Sequence, residues 1–151
     1  MRHAGPTLSA AAQLARPCPG WRDVAGWIPG GTGGCALVNE RTGCVVAAKV
    51  ELAVTRRARR VGLLGRPALD EASALVLAPC RAIHTAGMRF PIDVVFVDRH
   101  GRSLRVVREL TPWRIAFAAR AYAAIEFTAG VSRGRIEPDD TLSLIRSEAA
   151  C

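Results

Sequence analysis

The chain has 151 residues, 50% of them hydrophobic and 23% charged, a size and balance that suit one packed domain and exclude wholesale disorder. Its formal charge of +8 rests on 21 basic residues, of which Lys49 alone is Lys; this Arg skew, beside abundant Ala, Gly and Pro, follows from GC-rich coding, and the resulting field attracts nucleic acid or anionic surfaces only generically. Specific nucleic-acid recognition is disfavoured because no aromatic-interleaved basic stripe, zinc-finger spacing or RNP-like motif is present, and no run of about eighteen apolar residues supports a transmembrane helix.

Residues 1–35 contain Gly and Pro throughout and no sustained period, so they read as a flexible N-terminal extension. Leu8 to Ala15 is interrupted by Ser9 and Gln13 and followed by Arg16 and Pro17, a poor core for a signal peptide. Trp21 and Trp27 are suited to capping an apolar surface of the domain that follows. Cys18, Cys35, Cys44, Cys80 and Cys151 are irregularly spaced with no CxxC pair, which favours a reducing, cytoplasmic setting over a disulfide framework.

Regular patterning begins at residue 36 and continues to 146, with a short tail at 147–151. Ala36-Leu37-Val38 and Cys44 to Val54 are strand-like, and Asn39-Glu40-Arg41-Thr42-Gly43 between them predicts a hairpin. Thr55 stands where a helix N-cap belongs, and Ala58, Val61 and Leu64 follow at helical spacing. Gly65 and Pro67 then end the helix. Leu75 to Leu77 predicts a further strand, and Ile92 to Asp98, apolar on both faces, a central one. Asp98-Arg99-His100-Gly101 turns into a strand over Leu104 to Leu110; Tyr122 to Thr128 and Thr141 to Ile145 complete the set. Six to eight short strands with one or two short helices predict a mainly β fold, an antiparallel sandwich or jelly-roll-like barrel.

Three segments are diagnostic by their order and spacing: Gly62-Leu63-Leu64-Gly65-Arg66, the block from Ile83-His84-Thr85 through Met88 and Ile92-Asp93 to Asp98, and Ile125-Glu126-Phe127-Thr128-Ala129-Gly130. From about Leu37 to Leu144 the chain resembles the "domain of unknown function 192" family. The resemblance implies a mainly β fold of sandwich or jelly-roll type and implies no activity. Many relatives carry a secretion or lipoprotein signal, which the poor core at Leu8 to Ala15 does not supply. The chain also departs at Thr128, where relatives usually have Pro, and at Asp139, where Gly commonly precedes Asp140.

Of the three His, only His84 lies in the motif-rich centre. Cys80 stands four residues before it and Asp93 nine after. A Cys80–His84 nucleophile pair defines the enzymatic alternative, a small hydrolase or transferase; a Cys80/His84/Asp93 zinc site lacks standard spacing. One central His cannot complete a two-His iron triad, so no metal or other cofactor is expected. Glu126 lies between Ile125 and Phe127 in an apolar strand. A buried, unpaired carboxylate there would cost several kcal/mol, so a cationic partner is expected, Arg66 or Arg89. Together these residues predict a polar pocket of Arg66, His84, Asp93 and Glu126 in a non-catalytic binding or accessory domain. Its partner would be a small polar or anionic ligand, or a protein. The second alternative is a basic interaction module acting on RNA or an anionic surface through Arg56 to Arg60.

Overall fold

The computed structural model describes residues 20–26 and 34–147; Trp27, the Gly-rich run to Gly33 and the tail from residue 148 lie outside the described residues. A 3-10 turn, Trp21–Gly26, precedes β1 (Cys35–Asn39), β2 (Val45–Ala53), α1 (Arg56–Val61), β3 (Ser73–Leu77), β4 (Ala82–His84), β5 (Ile92–Val97), β6 (Ser103–Leu110), β7 (Ile115–Phe117), β8 (Ala123–Thr128) and β9 (Leu142–Arg146). The predicted mainly β fold is the observed one. β4 and β7 have no counterpart in the sequence reading, because three residues are too few to show a period.

Seven strands form one sheet in the order β6-β5-β8-β3-β2-β1-β9, and β4 and β7 form a separate ribbon. Both expected hairpins are present, β1 with β2 and β5 with β6. β5 is an interior strand between β6 and β8, consistent with its two apolar faces, and all six of its residues are buried. One pairing departs from the antiparallel expectation: β2 runs parallel to β3. A parallel pair cannot be joined by a tight turn, and α1 lies in the crossover between the two strands.

The sheet curls into a half-barrel. At one end its two edges meet: the Leu142 amide donates to the Gly101 carbonyl (2.9 Å) and the Ser103 amide to the Asp140 carbonyl (2.7 Å). The inner face carries Leu37, Val76, Val95, Ile125, Phe127 and Leu142. The outer face carries Leu75, Leu77, Val94, Phe96 and Ala124, and is covered by Leu63, Leu69, Ile83 and Met88. Trp21 and Val24 belong to the inner core. The Trp21 indole donates from Nε1 to the Leu142 carbonyl at 2.6 Å, so Trp21 caps the curled sheet as its aromatic character predicts.

Thr55 caps α1, its hydroxyl accepting from the Ala58 amide at 3.1 Å. The helix ends at Gly62, three residues earlier than the Gly65 stop read from sequence. Gly62 takes φ +47 and returns its amide to the Ala58 carbonyl, which releases Leu63 to turn into the outer cluster.

Candidate functional site

Glu126 occupies the middle of β8, with Leu75 of β3 opposite on one side and Val94 of β5 on the other. Strand alternation points it to the outer face, where it is only 4% exposed. Oε2 has no hydrogen-bond partner. Burial among apolar neighbours pushes the carboxyl up to about 7, against a weaker opposing pull from the positive charge of Arg66.

Above Glu126 lies a cleft of about 370 Å³. Its walls are the end of α1 and the segment from Pro79 to His84; Leu63, Leu64, Ile83 and Met88 supply apolar surface, and Arg60 and Arg81 supply charge. The structure thus brings Glu126, Cys80 and His84 around one space. The Cys80 Sγ donates to the Ala82 carbonyl at 3.2 Å, and burial raises the thiol above its ordinary value. His84 is exposed at the end of β4.

The other two members of the predicted pocket are placed differently. Arg66 forms a bidentate pair with Glu51, at 3.1 and 2.9 Å, and therefore reaches Glu126 only through its field. The reason is lateral register. Glu51 is opposite Leu75, which is opposite Glu126, so the two carboxylates lie in one row across β2, β3 and β8, and Arg66 engages the outer one. Arg89, the other expected partner, is exposed.

Asp93 is fully buried but on the inner face, opposite Phe127 of β8. It accepts from the Glu109 amide (2.8 Å), the Gly130 amide (3.1 Å), the Ser132 amide (3.0 Å) and the Ser132 hydroxyl (2.6 Å). Burial alone would raise this carboxyl; the Ser132 hydroxyl and the three amides outweigh it and hold the group below the usual range. Asp93 therefore fastens the turn after β8 to β5, and the sheet separates it from Glu126. Asp93 thus does not join Cys80 and His84 at the outer cleft, and among the described residues no group of three or more His, Cys, Asp or Glu is placed to hold a metal ion.

Sequence reasoning missed two residues of the site. Arg59 donates through Nη1 to the Val54 carbonyl (2.5 Å) and the Ala78 carbonyl (3.3 Å), which ties α1 over the cleft; the four Arg of the helix look alike in sequence. Glu51 is the partner of Arg66, and its only sequence signal is a carboxylate in a strand two residues before Ala53.

No helix of the described residues is long and apolar enough to cross a membrane. No curated protein matches the chain. Among solved structures, a protein of unknown function from Novosphingobium aromaticivorans superposes with a TM-score of 0.65 at 21% identity, covering 92% of this chain and 99% of that one. A Sinorhizobium meliloti protein, provisionally called a transcription regulator, gives a TM-score of 0.65 at 20% identity, covering 74% of this chain and 92% of that one. At these identities the likeness establishes the fold alone. Residues 37–144 match the profile of DUF192, described as Uncharacterized ACR, and over that span of matching sequence, strands and turns the chain belongs to this family.

Proposed function

We propose that the domain is a non-catalytic binding module whose outer cleft takes a small polar ligand through Glu126. One observation carries the reading: a buried carboxyl oxygen without a partner lies at the wall of a cleft open to solvent. Buried polar atoms are almost always satisfied, and a ligand bearing a hydroxyl, amide or amine donor would satisfy this one. Arg60 and Arg81 in the walls favour a ligand whose other end is anionic. Reaction through Cys80 and His84 is less well supported, because burial stabilises the thiol over the nucleophilic thiolate. The basic-module reading is weakened in turn by Arg59, which is spent on backbone carbonyls. Cys44 and Cys80 carry free thiols, in keeping with a reducing cytoplasmic setting.

Native mass spectrometry of the full chain as purified, wild type beside Glu126→Leu, tests the proposal. Retention of a small molecule by the wild type and its loss from the variant is the expected result. The same molecule held by both, or no molecule in either together with no Glu126-dependent thermal shift across a panel of donor-bearing compounds, would overturn it.

A further inference from the structure

Ile115 and Phe117 alternate along β7 and so project to one side of the β4–β7 ribbon, and Trp113 lies in the bend just before that strand. Trp113, Ile115 and Phe117 are 72%, 76% and 62% exposed, whereas Ala116 between the last two is 3% exposed. Across the ribbon, His84 stands opposite Ile115 and Ala82 opposite Phe117, both exposed. Three large exposed apolar side chains within five residues are unusual for a surface that serves only to be solvated.

The backbone is built to keep them there. Thr85 is fully buried, and it fastens the turn before β7 from both of its ends. Its hydroxyl donates to the Thr111 carbonyl (2.7 Å) and accepts from the Arg114 amide (2.9 Å), while its carbonyl accepts from the Trp113 amide (3.1 Å). Held this way, Trp113 adopts φ +65, a left-handed conformation that a bulky residue rarely takes and that tends to persist where function requires it.

The ribbon's own segments carry charge of one sign, although Asp98 shares a surface pocket with Arg81 and Arg120. The segments 79–91 and 111–121 that make the ribbon and its flanks contain Arg81, Arg89, Arg114 and Arg120 and neither Asp nor Glu; all four Arg are exposed. Arg105 adds a fifth, its guanidinium 5.8 Å from the centre of the Phe117 ring and donating to the Phe117 carbonyl at 2.6 Å.

We infer that this ribbon docks on an anionic lipid surface, with Trp113, Ile115 and Phe117 entering the headgroup boundary and the arginines meeting lipid phosphates. Charge complementarity selects an anionic occupant, and the formal charge of +8 opposes a second copy of the chain. The side chains project from a ribbon instead of lining the cleft, which suits a fluid interface. Aromatic and aliphatic groups beside arginine are the composition that lies stably at the boundary between headgroups and acyl chains.

Vesicle flotation of the full chain tests this, comparing phosphatidylcholine with and without phosphatidylglycerol at moderate salt. The wild type should float only with the phosphatidylglycerol vesicles. Trp113→Ser combined with Ile115→Ser and Phe117→Ser should weaken flotation by about tenfold or more, and Arg114→Glu with Arg120→Glu should abolish it. All five positions are exposed, so unchanged melting would verify that the variants fold. Equal flotation of the serine variant and the wild type would overturn the proposal in favour of plain charge attraction. Absence of flotation for the wild type would overturn it in favour of an acidic protein partner.

Discussion

An ionised Glu126 would sit between Leu75 and Val94 with no donor on Oε2, so the folded chain keeps this proton to about pH 7, whereas an unfolded chain releases it near 4.5. Stability from this group is complete below the unfolded value, falls as the pH rises through that interval and levels off above it, a loss of about 3 kcal/mol. Glu126→Gln should therefore unfold in urea like the wild type at about pH 4 and be more stable by about 2–3 kcal/mol at pH 8. Asp93 behaves oppositely: its folded value is depressed, so its contribution is present above the ordinary carboxylate range and is lost as the pH falls through the folded value. Asp93→Asn should lower the melting temperature at neutral pH, by an amount equivalent to about 2 kcal/mol or more, and the difference should shrink in acid. The burial of both carboxyls is legible from their apolar flanks. Their placement on opposite faces is not, because it depends on how β5 and β8 are registered. Asp139 is a case where a departure from the family pattern acquires a reason: its φ is +72, a conformation that Gly takes freely and Asp tolerates.

At the scale of elements, one buried hydroxyl supplements the backbone bonds that hold the β4–β7 ribbon. Thr85→Val preserves shape and removes the Thr85 side-chain hydrogen bonds to the 111–114 turn, leaving the part-buried Arg114 amide and Thr111 carbonyl without that partner. It should cost about 1–3 kcal/mol in thermal melting, and Thr85→Ser should recover most of that loss. β4 and β7 were invisible in the sequence because their pairing joins residues about thirty apart through six residues in all; the turn chemistry that holds them resides in a Thr, not in a Gly or Pro. By contrast α1 was readable at its start, where Thr55 caps it. Its end is ambiguous in the sequence because two glycines, Gly62 and Gly65, both take positive φ and can stop the helix, and only the destination of Leu63 decides between them.

At the scale of the whole molecule, strand number and hairpins follow from local alternation and turn residues, but curl and closure do not. Closure depends on Gly101, at φ +83, where an added Cβ would lie 2.2 Å from Trp21 Nε1 and 2.3 Å from the Leu142 carbonyl oxygen. Gly101→Ala should expel Trp21 or spread the seam, lowering stability by about 3 kcal/mol or more and moving tryptophan emission to longer wavelength. The seam also fixes an order of events. β1 pairs with β9, matching Cys35 to Arg146 and Asn39 to Leu142, and Trp21 bonds to a carbonyl of that same strand. During synthesis the first strand thus waits with an open edge until the last one leaves the ribosome, and the capping indole has no acceptor before then. Such distant pairing slows folding and leaves an edge on which nascent chains can pair with each other. Chaperones that shield unpaired strands would therefore raise the yield of this protein most during the interval between the emergence of β1 and that of β9.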